Sequence, residues 1–293
     1  VTELSADGLH ATGQPQQVTI DNKFEGAYVV RHDAVDYVSL HNYYEENGDL
    51  PGFLCSAVDM DRYISAIIAT ADHIGAKLRR KKKINLSFDE WNVWNQSRFT
   101  GRERAPFQEA PKLIEDTFTA TDAVAVGDFL ITLLRHADRM SIACQAQLAN
   151  IIAPIRTEPG GPAWRQTTFH PFAPTARHAR GTVLRVEPSG PLLETERYGE
   201  APALSAVATV DGPQLALFAV NRSPDQALDL TARLPAAVRP VPATVIAAGD
   251  DPHRVQALPK PLTVQADGDR LTARLPAASW TMILAECENL RGA

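Results

Sequence analysis

Apolar and polar residues alternate from residue 84 onward. Ile84, Leu86 and Phe88 are apolar, with Asn85, Ser87 and Asp89 between them, and this period of two predicts a half-buried strand. The run ends in Glu90-Trp91-Asn92-Val93-Trp94, a carboxylate delivered to the strand's C-terminal end between two tryptophans. A second alternation carries Val35, Tyr37 and Ser39 on one side and closes in His41-Asn42-Tyr43-Tyr44. Between the two, Met60, Tyr63, Ile64, Ile67, Ile68, Ala71 and Ile74 recur at helical spacing. Asp59 is the predicted N-cap of that helix, and Asp61 complements its dipole. A second helix is predicted from Thr121, as N-cap, through Val124, Phe129, Leu130, Leu133 and Leu134 to Ala137. A third strand follows from Met140 to Leu148, its small residues suited to a crowded barrel interior. Pro159-Gly160-Gly161-Pro162 marks a loop, and a short helix is expected within 163–182. Strands alternating with helices in this way indicate βα units on a parallel sheet.

The texture changes after about Val183. Short alternating runs begin at Ala206, Leu215, Leu228, Ala243, Leu262, Leu271 and Ser279, separated by Asp211-Gly212-Pro213, Asn221-Arg222-Ser223 and Asp267-Gly268-Asp269. Many short strands with turn signals between them predict an antiparallel β-sandwich. The expected division is an unassigned segment at 1–34, βα units over 35–182 and the sandwich over 183–293. Residues 1–25 are polar, with one brief alternation at Val18, Thr19 and Ile20.

Composition narrows the function classes. At 293 residues the chain can bury a sizeable core, and 44% hydrophobic with 22% charged residues reads as soluble and globular. A net charge of −6 argues against nucleic acid as a partner. The basic run from Arg79 to Lys83 follows an amphipathic helix, where cations suit the C-terminal end of the dipole, so a solvated helix end is expected. Cys55, Cys144 and Cys287 show no disulfide or metal spacing, which favours a reducing, cytoplasmic compartment, with secretion left open because the chain starts at Val1. No apolar run reaches the roughly 18 residues of a membrane span, so no membrane partner is expected. No cofactor or metal is expected either. The eight histidines are scattered, and Gly160-Gly161 lacks phosphate-loop spacing.

Chemistry concentrates at Glu90. A lone acidic residue at a strand end usually points into solvent, but two tryptophans so close together are costly to expose without a ligand to cover. The segment from Ser87 to Trp94, SFDEWNVW, resembles the nucleophile segment of glycoside hydrolase family 51 α-L-arabinofuranosidases. VDYVSLHNYY, FLCSAVDMDRYI, IACQAQLANIIAPI and TEPGGPAWRQTTFHPF resemble the same family in the same order. The likeness is dense over 35–172 and looser beyond. It implies the C-terminal part of a (β/α)8 TIM barrel, strands six to eight, followed by a jelly-roll-like β-sandwich.

The resemblance also implies an activity: retaining release of terminal α-L-arabinofuranosyl residues from arabinose-containing polysaccharides and oligosaccharides. Glu90 would be the nucleophile, Tyr43 its hydrogen-bond donor, Trp94 the wall of the sugar subsite and Gln147 a contact to the sugar hydroxyls. His41 and Asn92 would support these from behind. Each has a plainer reading: packed aromatics for Tyr43 and Trp94, a satisfied polar group inside the barrel for Gln147. Asp89, next to the nucleophile on a regular strand, is expected on the opposite face. Asn95 departs from the family, where an aromatic is usual. A retaining glycosidase needs a second carboxyl about 5 Å from the first, and the family places it after an asparagine. No Asn-Glu pair occurs in this sequence. The acid/base is therefore expected outside this chain, on a chain or segment supplying the N-terminal barrel half, in an assembly that the resemblance makes a homo-oligomer. The alternative is a non-catalytic carbohydrate-binding or assembly remnant that keeps Trp94 and Tyr43 as a sugar platform.

Overall fold

The computed structural model describes residues 32–101, 106–107, 109, 114–234 and 236–287. Most of the unassigned 1–34 segment, including Val18, Thr19 and Ile20, lies outside the described residues, as do Arg102 and Arg104.

The three strands predicted around the carboxylate form one parallel sheet. β1 (Tyr37–Tyr44), β2 (Asn85–Val93) and β3 (Met140–Gln145) lie side by side in that order. Their alternation has the expected result: Leu40, Leu86 and Phe88 are buried against helices on one face, while Tyr37, Ser39 and His41 open on the other. The crossover from β1 to β2 contains a short helix, α1 (Leu50–Leu54), and a long one, α2 (Ser56–Lys77). α1 is capped by Asp49, whose carboxylate accepts from the Gly52 N–H at 2.9 Å.

α2 starts three residues before the predicted cap. Cys55 takes the N-cap position, because Ser56 and Ala57 are already buried with the apolar face. Asp59 instead accepts from the Tyr44 hydroxyl at 3.2 Å and ties the helix to β1. Of the predicted face, Met60, Ile64, Ile67, Ala71 and Ile74 are buried. The basic run beyond the helix is neutralised by nearby acids, with Arg80 on Asp33, Lys82 on Asp36 and Lys83 on Asp72.

α3 (Ala120–Arg135) returns the chain to β3. Its cap is Thr119, two residues before the predicted Thr121. Thr119 and Asp122 form a capping box, the Thr119 N–H donating to the Asp122 carboxylate at 2.7 Å. Thr121 is fully buried, its hydroxyl spent on the Pro252 carbonyl. Every residue from Ala120 to Leu133 is buried, so α3 has no solvent face of the usual amphipathic kind. Val126, Phe129 and Leu133 pack toward the parallel sheet, and Ala123, Val124 and Ile131 pack toward the second half of the chain.

That second half is antiparallel. After the hairpin β4 (Ile155–Thr157) and β5 (Ala163–Arg165) comes α4 (Phe169–His178), then β6 (Thr182–Leu184), and the hairpin β7 (Leu192–Thr195) and β8 (Gly199–Pro202). The remaining strands are β9 (Leu204–Asp211), β10 (Gln214–Asn221), β11 (Leu228–Arg233), β12 (Val238–Ala247), β13 (Lys260–Leu262), β14 (Val264–Asp267), β15 (Arg270–Leu275) and β16 (Ser279–Cys287). A six-stranded sheet of order β13-β12-β16-β10-β9-β6 faces a three-stranded sheet of order β11-β15-β14. Leu217, Ile283, Leu230 and Leu271 share the core between them. Asp211-Gly212-Pro213 and Asp267-Gly268-Asp269 are the hairpin turns their residues predict. The pairs β4–β5 and β7–β8 carry too little apolar alternation to announce themselves.

Where α3 meets the six-stranded sheet, contact is close. A Cβ on Gly127 would lie 2.2 Å from Trp280 Cδ1, so only glycine fits there. One residue on, Asp128 receives a two-pronged bond from Arg222, Nε to Oδ2 at 2.6 Å and Nη2 to Oδ1 at 3.2 Å, with both side chains almost wholly buried. Removing one partner leaves an uncompensated buried charge, so Asp128→Ala or Arg222→Ala is expected to cost about 3–5 kcal/mol. Replacing both with apolar residues of similar volume should recover most of that loss, as read by urea unfolding.

Burial pushes the Asp122 carboxyl up to about 6 despite its bonds from Thr119. Its ordinary value is about 3.9, so the folded state holds this proton more tightly and stability falls as pH rises from about 4 to about 6. Asp122→Asn keeps an acceptor for Thr119 without the charge. Its melting temperature should match the parent near pH 4 and exceed it at neutral pH.

Candidate active site

β2 is not a regular strand. Ser39 of β1 pairs with Ser87, and His41 pairs with Glu90, so two steps on β1 span three on β2. β3 reads the same irregularity from the other side, where Phe88 pairs with Ala143 and Trp91 with Gln145. The extra residue is a bulge at Asp89 and Glu90, a device that re-aims side chains. It overturns the expectation that Asp89 points away from Glu90. Both carboxylates reach the same imidazole: His41 Nε2 lies 3.4 Å from Asp89 Oδ2, and His41 Nδ1 lies 3.5 Å from Glu90 Oε2. A regular period of two hides this; only the register against both neighbours reveals it.

Glu90 sits where the C-terminal ends of the parallel strands converge. The Tyr43 hydroxyl donates to Glu90 Oε2 at 2.8 Å. Burial first, then the bond to Glu90 and its negative charge, raise the Tyr43 phenol above its ordinary value, so it stays a neutral donor. Trp94 stands edge-on to Tyr43 with ring centres 5.1 Å apart, and its indole N–H is buried without a partner among the described residues. Tyr43 and His41 thus touch Glu90 directly, and Trp94 adjoins it through Tyr43.

Asn92 does different work. It is fully buried, its amide donating to the Ala146 and Ile152 carbonyls, its oxygen accepting from Gln145 Nε2 at 3.0 Å. It clamps β2 to the segment after β3 instead of reaching the carboxylate. The third strand stops at Gln145, short of the expected Leu148, so Gln147 lies exposed two residues beyond β3, on the segment that Asn92 holds. Asn95 is buried, its backbone N–H and side-chain amide both donating to Asp116, which also receives Arg98 at 3.2 Å. Asp116 in turn is linked to the β4–β5 hairpin, because Arg156 donates to its carbonyl at 2.9 Å. Asp116 and Arg156 carry no sequence signal of this role; only the folded chain brings them to the loop after Trp94. Among the described residues no group of three or more His, Cys, Asp or Glu side chains could hold a metal ion, and the three cysteines are free.

The site offers a carboxyl group that receives a neutral hydroxyl donor and lies beside an imidazole, with an indole beyond the hydroxyl. Known proteins are similar to this chain. The sequence model of the family described as the α-L-arabinofuranosidase C-terminal domain matches residues 89–279. An intracellular exo-α-(1→5)-L-arabinofuranosidase of Streptomyces lividans is 48% identical over an alignment of 265 residues that covers 86% of this chain and 40% of that protein. An exo-α-(1→6)-L-arabinofuranosidase of Bifidobacterium longum is 42% identical over 86% of this chain and 52% of its own length. The solved structure of AbfB, a family 51 α-L-arabinofuranosidase from Bifidobacterium longum, superposes with a TM-score of 0.82 at 38% identity, covering 89% of this chain and 55% of that one. The chain therefore spans about half the length of the proteins it matches. It belongs to the α-L-arabinofuranosidases of glycoside hydrolase family 51, of which it is a C-terminal portion.

Proposed function

We propose that this chain is the nucleophile-bearing part of a retaining exo-α-L-arabinofuranosidase that releases terminal α-L-arabinofuranosyl residues from arabinose-containing polysaccharides and oligosaccharides. The observation that supports this most is Glu90, lifted by a bulge at the C-terminal end of β2 and held by the Tyr43 hydroxyl at 2.8 Å. In this reading β1, β2 and β3 are the last three strands of a (β/α)8 barrel, whose catalytic groups stand at the C-terminal strand ends. The antiparallel sheets are then its jelly-roll-like companion.

Among the described residues, Tyr43 and His41 both engage Oε2 of Glu90, which leaves Oε1 to attack the anomeric carbon. Trp94 walls the sugar on the Tyr43 side, and Gln147 reaches its hydroxyls from the end of β3. Asp89 does not serve as the acid/base. The Ser39 hydroxyl, foremost, and His41 hold its carboxyl below the ordinary range, whereas a general acid needs a raised one. That carboxyl comes from the rest of the enzyme, the part that covers the open edges of β1 and β3 in a homo-oligomer. The intracellular name of the Streptomyces lividans relative and the free cysteines suit a cytoplasmic site of action.

A dinitrophenyl α-L-arabinofuranoside needs no acid to expel its leaving group, so it tests the nucleophile by itself. The chain should form an arabinosyl adduct at Glu90, seen by intact mass and peptide mapping. Glu90→Gln should slow its formation on the order of 10⁴-fold. A folded chain that forms no such adduct sinks this reading. Glu90→Gln should also let Tyr43 ionise at lower pH, because the carboxylate's charge and its hydrogen bond both disfavour the phenolate. The absorbance of tyrosinate during an alkaline titration measures that shift, with Tyr44, whose carboxylate neighbour is Asp59, as the unmoved reference.

A further inference from the structure

The bulge in β2 leaves one group between two carboxylates. His41 offers Nε2 to Asp89 and Nδ1 to Glu90, at 3.4 and 3.5 Å. Asp89 is itself anchored, since the Ser39 hydroxyl donates to its Oδ1 at 2.7 Å and lies 3.4 Å from the same imidazole nitrogen. Without the extra residue, Asp89 would leave by the other face of the sheet, and Glu90 would have no acidic neighbour. Two adjacent carboxylates on one face repel each other, so the arrangement needs a reason. Stability does not supply it: His41, Asp89 and Glu90 are each more than 40% exposed, and ion pairs that open contribute little to folding.

We infer that Asp89 is a positioning residue for Glu90, acting through His41. Ser39 fixes Asp89, and Asp89 accepts from Nε2–H and fixes the plane of the imidazole. With a proton on the opposite nitrogen as well, Nδ1–H donates to Glu90 Oε2, the oxygen that Tyr43 also holds. Two groups on one oxygen set the carboxylate's plane and turn Oε1 to the sugar; Tyr43 alone would leave rotation about the hydrogen bond free. The role rests on the reading of Glu90 as nucleophile. Asp89 keeps its charge into acid, because the Ser39 hydroxyl in particular holds its carboxyl below the ordinary range. The charged and titratable groups facing His41 among the described residues are Asp89 and Glu90, with Tyr43 beyond Glu90.

The test follows the covalent step on the chain itself. With a dinitrophenyl α-L-arabinofuranoside, a Glu90 oxygen bonds to the anomeric carbon while the glycosidic bond breaks and dinitrophenolate leaves with the electron pair. Asp89→Ala should lower the first-order constant of adduct formation at saturation by about tenfold to a hundredfold, with the half-saturation constant within about twofold. Asp89→Asn keeps an acceptor for Nε2–H without the charge and should fall between, with a flattened acid limb in its pH profile. Ser39→Ala should move the rate in the same direction, by less. Imidazole nitrogen–proton NMR spectra of the same proteins report the network without any reaction. His41 resonances should shift in Asp89→Ala and Ser39→Ala and stay in place in Glu286→Gln, a remote control.

An adduct rate in Asp89→Ala equal to the parent's overturns the inference while leaving the nucleophile in place. Unmoved His41 resonances in that variant overturn it too. If His41 answers to Asp89 but the parent chain forms no adduct, the nucleophile reading fails and takes the role of Asp89 with it.

Discussion

The helix from Ala120 to Arg135 holds the molecule together because it has no outside. Its residues are buried from Ala120 to Leu133, with the parallel sheet on one side and the six-stranded antiparallel sheet on the other. A helix buried on two sides must fit both at once, and close packing tolerates little adjustment. Gly127 meets the first demand by letting Trp280 lie directly on the backbone. Asp128 meets the second through Arg222, which comes from the turn after β10 and also reaches the Pro202 carbonyl. A buried ion pair adds little net stability over an apolar equivalent. What it supplies here is registry, because a slip of one residue along the helix would strand both charges.

That registry fixes the candidate site at a distance. Phe129 of the same helix packs on Trp91 and Tyr44, residues that flank Glu90 and Tyr43 in the chain. Trp91 is fully buried while its neighbour Glu90 opens toward solvent. The bulge reverses the alternation at that point, and the aromatic packing beneath makes the reversal permanent. A site built on strands with locked rotamers below holds its geometry better than one carried on a loop.

The electrostatics of the site follow a division of labour. Tyr43 is kept neutral, chiefly by burial, and Asp89 is kept charged, chiefly by Ser39. Neither shift favours proton transfer near neutral pH, which suits the holding roles proposed for both groups, Tyr43 on Glu90 directly and Asp89 through His41. Asn95 belongs to a different layer. With Asp116, Arg98 and Arg156 it ties the loop after Trp94 to the β4–β5 hairpin.

Much of this was legible in the residues alone. The alternation of Ile84, Leu86 and Phe88 determines a strand with one buried face, and the helical spacing from Met60 to Ile74 determines the buried stripe of the helix before it. Asp-Gly turns place the hairpins of the antiparallel half, and Glu90 between tryptophans marks the candidate site. Helix starts were harder to read, because Thr119 and Thr121 are both good caps and only the partner at Asp122 decides between them. The bulge was not legible at all: a period of two assigns Asp89 to the far face, and one unpaired residue, visible only against β1 and β3, brings it back beside Glu90. The same holds for Asp128 with Arg222 and for Asn92 with the carbonyls of Ala146 and Ile152. Local pattern sets which residues are buried, but which buried polar groups meet depends on how distant strands align, and the tertiary structure alone decides that.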